Sequence, residues 1–206
     1  MTFINIYRIP LLLWALLVSS AVAGAADKLV LRGASFVSPN GRYCVQLYFE
    51  ESFLIRDTAT GRVDTSIAST GVLYLHWATN SGSFVTVEHI AHGSYGRVVY
   101  LDHGQWNSVE VNPPSPSKQN ATVINLELRS DRVHYKFVVE ILGSDWEPIN
   151  YQFCDLDVTL QTGKISNAKW TPLSETAWAA ALTSREPSYL PPMKPPSTTA
   201  CVDDHK

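Results

Sequence analysis

Between Tyr43 and Phe49 the apolar positions alternate: Tyr43, Val45, Leu47 and Phe49 fall on one side of an extended chain, Cys44, Gln46 and Tyr48 on the other. The same two-residue period returns at Val123–Leu128 and most clearly at Val133–Ile141. There Val133, Tyr135, Phe137, Val139 and Ile141 share a face opposite His134, Lys136 and Glu140. Shorter apolar runs at Phe53–Ile55, Phe84–Val87, Arg97–Leu101 and Tyr151–Val158 predict further strands. Turn chemistry separates them. In Ser38-Pro39-Asn40-Gly41 proline presets φ and Asn-Gly tolerates the positive φ of a tight turn. Asp57-Thr58-Ala59-Thr60-Gly61, Asp102-His103-Gly104 and Gln161-Thr162-Gly163-Lys164 close other runs.

Near Trp170 the pattern changes. Thr171 as N-cap and Pro172 at the first helical position predict one short helix over 172–182, followed by a proline-rich tail. If the sheets leave strand edges open, Trp178 and Leu182 of this helix are placed to cover one.

A shift of 41 residues lays Phe36–Tyr43 over Trp77–Phe84, with aromatics, hydroxyls and a glycine (Gly41 over Gly82) in register. Thr162-Gly163-Lys164 echoes Thr60-Gly61-Arg62, with Asn112–Asn120 as an insertion. The unit of Ser-Pro-Asn-Gly turn, strand and Asp-x-x-Thr-Gly turn resembles the WD40-like β-propeller repeat of secreted and periplasmic bacterial proteins. The resemblance covers residues 30–165 and implies an all-β fold of about three antiparallel, propeller-type units. Three units are fewer than the usual minimum of four blades, so an incomplete ring, a sandwich-like or barrel-like collapse, or a ring completed by a partner are the expected forms.

Residues 1–25 carry one charge, Arg8, an apolar run at Leu11–Val18 and the small-residue site Ala23-Gly24-Ala25. They predict a signal peptide with the mature chain starting near Ala26, an uncleaved anchor being the alternative. The expected organisation is a signal peptide at 1–25, a β domain at 26–170, and a helix with tail at 171–206. Secretion or periplasmic export is the expected destination. Loss of Arg8 moves the formal charge from −3 to −4. That argues against nucleic acid and, after cleavage, against a membrane surface. Three cysteines, Cys44, Cys154 and Cys201, leave at least one without an intramolecular partner, and the sequence does not choose a pairing.

The histidines are the first candidates for chemistry. His89, His92 and His103 supply the ligand types of a small metal-assisted hydrolase, but a strand period puts 89 and 92 on opposite faces. No nucleophile elbow or phosphate loop is present, and no cofactor is expected. Asp155 and Asp157 share a strand face ahead of a turn, and turn capping is their expected role. Polar aromatics gather at His92, Tyr95, His103 and Trp106, which read as connections between strands. The favoured reading is a non-catalytic module binding a protein or glycan partner through these four residues, with self-association through open sheet edges as a further expectation.

Overall fold

The computed structural model describes residues 34–48, 52–115 and 117–183. Residues 1–25, where a signal peptide is expected, Cys201 and the proline-rich stretch of the expected tail lie outside them. Twelve strands form three separate four-stranded antiparallel sheets, each a meander in chain order. The first sheet holds β1 (Ser35–Val37), β2 (Tyr43–Tyr48), β3 (Ser52–Asp57) and β4 (Val63–Ala68). The second holds β5 (Val72–Trp77), β6 (Ser83–Ile90), β7 (Gly93–Asp102) and β8 (Gln105–Val111). The third holds β9 (Gln119–Leu128), β10 (Arg132–Leu142), β11 (Pro148–Thr159) and β12 (Ile165–Leu173), and a helix α1 (Glu175–Thr183) follows.

The sheets stack face to face through two apolar layers. Tyr43, Val45, Leu47, Phe53 and Ile55 of the first sheet meet Val72, Leu75, Trp77, Phe84 and Val99 of the second. The opposite face of the second sheet, with Val85, Val87 and Val98, meets Val123, Val133, Tyr135, Phe137, Leu156 and Val158 of the third. The middle sheet is therefore covered on both sides, and consecutive residues are buried at 83–88 of β6 and 94–99 of β7. This explains the unbroken Phe84-Val-Thr-Val87 and Arg97-Val-Val-Tyr-Leu101 runs, whereas β3 and β10, on flanking sheets, alternate. Separate meanders stacked in chain order are the arrangement of propeller blades, not of a closed barrel.

The repeat is real but offset by one residue from the sequence match. In the first sheet Ser38 N donates to Tyr43 O (2.8 Å) and Gly41 N to Ser38 O (2.8 Å). In the second, Ala78 N donates to Ser83 O (2.9 Å) and Ser81 N to Ala78 O (3.0 Å), a shift of 40. The positive φ of Gly41 (73°) accordingly falls to Ser81 (58°), not to Gly82. The third-to-fourth strand turns also repeat. Gly61 N donates to Asp57 O and Asp57 N to Arg62 O, as Gly163 N does to Thr159 O and Thr159 N to Lys164 O.

The helix differs from expectation. Thr171 and Pro172 belong to β12, an edge strand where a missing N–H is tolerated. The cap is Ser174, whose Oγ accepts from Ala177 N at 3.2 Å. Trp178 packs on Tyr151 of β11 (centroids 4.8 Å), so α1 lies on a face of the third sheet and not over its edge. No helix among the described residues is long and apolar enough to cross a membrane.

Candidate functional site

The hairpin turns β1–β2, β3–β4, β5–β6 and β7–β8 lie at one end of the first two sheets, the upper rim. Asn40 N donates to Ser81 Oγ (3.0 Å), joining equivalent turns of both sheets. Within the first sheet, Thr58 Oγ1 donates to Gly41 O (2.6 Å), locking β1–β2 to β3–β4. Asp57 Oδ1 accepts from Thr60 N, Ala59 N (both 3.0 Å) and Thr60 Oγ1 (3.2 Å). The Thr60 amide foremost, with these other donors, holds the carboxyl below its ordinary value.

A cleft of about 530 Å³ opens between these turns and the β7–β8 turn, lined by Arg42, Tyr43, Asp57, Thr60, Arg62, Asp64, Leu101 and Gly104. Its four charges cancel, but they are not equally placed. Side chains of Arg42 and Arg62 are 64% and 79% exposed, those of Asp57 and Asp64 only 18% and 20%. An approaching group meets guanidinium first. Beneath lies an aromatic stack in which Trp106 packs edge-on to Tyr43 (5.1 Å) and within 6.2 Å of Trp77 and Phe84. The Trp106 Nε1 is buried with no hydrogen-bond partner among the described residues.

The four residues singled out by sequence do not form one surface. His103 (φ 47°) is exposed beside Gly104 on the upper rim, and Trp106 lies under it. His92 is exposed at the opposite end of β7, in the β6–β7 turn. A ten-residue strand separates His92 from His103 by about 30 Å, so a metal site built from His89, His92 and His103 is ruled out by geometry. Among the described residues no group of three or more ligand-type side chains is placed to hold a metal ion. Tyr95 is not on a connection at all. It is 5% exposed, inside β7.

Tyr95 belongs to a buried network that the sequence reading missed. Antiparallel register sets Glu88 opposite Tyr95 and Thr86 opposite Arg97 on the face turned to the first sheet. Arg97 Nε donates to Glu88 Oε1 (2.7 Å), Tyr95 OH to Glu88 Oε2 (2.6 Å) and Thr86 Oγ1 to Glu88 Oε1 (2.8 Å). Arg97 Nη2 also reaches Tyr95 OH (2.9 Å) and Glu110 (3.2 Å). Burial works against the Arg97 charge, yet the Glu88 carboxylate more than offsets it and holds the proton more tightly than usual. Burial, then the bond to Glu88, raises the Tyr95 hydroxyl. Every charge here is paired across β6, β7 and β8, which suits tying strands of the second sheet together and not reacting with a ligand. The available signal was a pair of i, i+2 polar steps, 86/88 and 95/97, inside otherwise apolar strands.

On the outer face of the third sheet, His134 sits between Asp157 (Nδ1 to Oδ1, 3.0 Å) and Asp155 (Nε2 to Oδ1, 3.3 Å). These aspartates hold a histidine; the turn-capping role expected for them is not what they do. Burial opposes the Asp157 charge, but His134 and Asn167 outweigh it and its carboxyl is lowered. Cys44 is disulfide-bonded, while Cys154 keeps a free thiol. Burial, with the neighbouring Asp155 charge, pushes that thiol up to about 11. Because Cys154 is 0% exposed, maleimide is expected to leave it unmodified in the native protein and to label it after unfolding without reductant. Rapid native labelling at Cys154, mapped by mass spectrometry, would contradict this burial.

No protein-family model matches the chain, and no curated protein matches it by sequence. Solved structures similar to it include the β-propeller domain of Cps50 (Swd1) from Myceliophteria thermophila, at 11% identity and TM-score 0.39 over 73% of this chain and 56% of that one. The WD40 domain of SCAP from fission yeast aligns at 11% identity and TM-score 0.32 over 70% and 32%. Dihydro-heme d1 dehydrogenase NirN aligns at 13% and TM-score 0.37 over 70% and 37%. Each repeat unit is a four-stranded antiparallel meander, the form of a propeller blade. The described residues hold three such units, and the chain spans between about a third and just over half of these neighbours' lengths.

Proposed function

We propose that this chain is a non-catalytic, exported interaction module that binds the acidic segment of a protein partner in the upper-rim cleft. The observation that carries the reading is the outward pair Arg42 and Arg62 beside recessed aspartates, with Arg42 over the Tyr43 ring that lines the cleft. Arginine on an aromatic base is a frequent anchor of protein interfaces, and a carboxylate is its natural complement. Export is supported by the disulfide at Cys44, since disulfides persist in oxidising compartments. A hydrolytic role for the histidines is disfavoured because β7 holds His92 and His103 apart.

The test titrates the protein with fluorescent Asp/Glu-rich peptides containing one aromatic residue, and with matched Lys-rich peptides. The acidic set is expected to bind more tightly. Arg42→Ala/Arg62→Ala should weaken it about tenfold or more, corresponding to roughly 1.4 kcal/mol, with the melting temperature unchanged. Equal binding by both peptide sets, or by the double variant and the native protein, would remove the cleft as the site.

A further inference from the structure

The lower end of the third sheet carries a feature with no role in the core or in the cleft. Trp146 and Ile149 are 65% and 69% exposed, the two most exposed large hydrophobics among the described residues. Both belong to the β10–β11 hairpin, where every residue from 144 to 150 is exposed. Trp146 N donates to Gly143 O (3.3 Å) and Gly143 N to Glu147 O (2.8 Å). This is a type I-like turn followed by a left-handed residue, a place that normally takes glycine or asparagine. Here Trp146 occupies it with φ 67°. A bulky side chain is thus held in a strained conformation and aimed at water, which core packing does not explain.

The surroundings say what the ring suits. Lys118 Nζ stands 4.0 Å from the ring centroid on one face. Asp145, Glu147 and Asn150, all exposed, border the ring in sequence. Carboxylates on both sides oppose insertion into an anionic lipid surface. A protein hot spot needs a surrounding collar that excludes water, and this convex tip has none of its own. A pyranose ring needs one flat apolar surface for its C–H face and charged or amide groups for its hydroxyls. We propose that the β10–β11 hairpin is a carbohydrate-binding tip: Trp146 stacks on a sugar ring while Asp145, Glu147, Asn150 and Lys118 engage its hydroxyls. This site is separate from the cleft and does not depend on the cleft's role.

The test applies saturation-transfer NMR and calorimetry to the whole protein with neutral oligosaccharides of four to six residues: β-1,4-glucan, β-1,4-linked N-acetylglucosamine and α-mannan. At least one is expected to bind the native protein. Trp146→Gly should weaken it at least tenfold while melting no lower than Trp146→Ala, because glycine relieves the positive φ and alanine does not. Trp146→Phe should retain part of the binding, and Arg42→Ala/Arg62→Ala all of it. A silent panel, or native-like binding by Trp146→Gly, overturns the proposal. So does a large loss of melting temperature in Trp146→Gly, which would make the residue structural. A silent panel with a Trp146-dependent protein complex would assign the tip to a protein instead.

Discussion

Arg97→Ala is expected to lower stability by about 3–5 kcal/mol, the usual cost of stranding one member of a buried ion pair. For a chain of this size that corresponds to a melting temperature roughly 6–20 °C below the native one. Arg97 is 6% exposed and Glu88 0%, so water does not replace the lost partner. The loss also frees the Tyr95 hydroxyl and the Glu110 carboxylate from the guanidinium. The double variant Glu88→Leu/Arg97→Met should lie well above the sum of its single changes, because it removes both charges together. Differential scanning calorimetry on the four proteins of this cycle reads the result. Additive losses would mean that the pair does not act as a unit.

Gly96→Ala is the second large effect. A Cβ at position 96 would collide with the Tyr135 ring, which is fully buried in the layer between the second and third sheets. The Tyr135 hydroxyl is directed at the backbone oxygens of Thr86 (3.3 Å) and Arg97 (3.2 Å), so the ring cannot withdraw without losing them. Overpacking and the broken hydrogen bond together predict a loss of roughly 2–4 kcal/mol. Shortening the opposing side chain, as in Gly96→Ala/Tyr135→Leu, should cost less than the two single changes added. Chemical denaturation measures both. A Gly96→Ala protein as stable as the native one would show that the sheets are not packed this closely at β7.

The strands with strong patterns were legible because their faces see different surroundings. β10 alternates since one face meets the second sheet and the other does not. What the sequence concealed were the fourth strands. β4, β8 and β12 are outermost and largely exposed, so they carry little apolar signal. In Val63–Ala68 and Ile165–Leu173 only the antiparallel pairing with β3 and β11 declares the strand. Pro172 misled for the same reason: at a sheet edge its missing donor is harmless, so it need not open a helix.

Little of the candidate site was legible. His103 and Trp106 lie at the β7–β8 turn, where a left-handed residue and an aromatic stack meet, but neither lines the cleft. Tyr95 and His92 were grouped with them by nearness in sequence, which a ten-residue strand converts into distance or burial. Arg42 and Arg62 gave no signal of their own, since each reads as an ordinary turn residue. Their convergence depends on Thr58 tying β3–β4 to β1–β2, a contact across 17 residues. Trp146 likewise reads as one more loop aromatic until its backbone conformation is known.

The most direct measurement for the cleft is hydrogen–deuterium exchange of the whole protein, free and saturated with the tightest-binding acidic peptide. Protection is expected at residues 57–64 and 101–106, with little change at 89–93 and 143–150. Protection confined to the lower rim, or none at 57–64, would contradict the assignment of the upper-rim cleft as the binding surface.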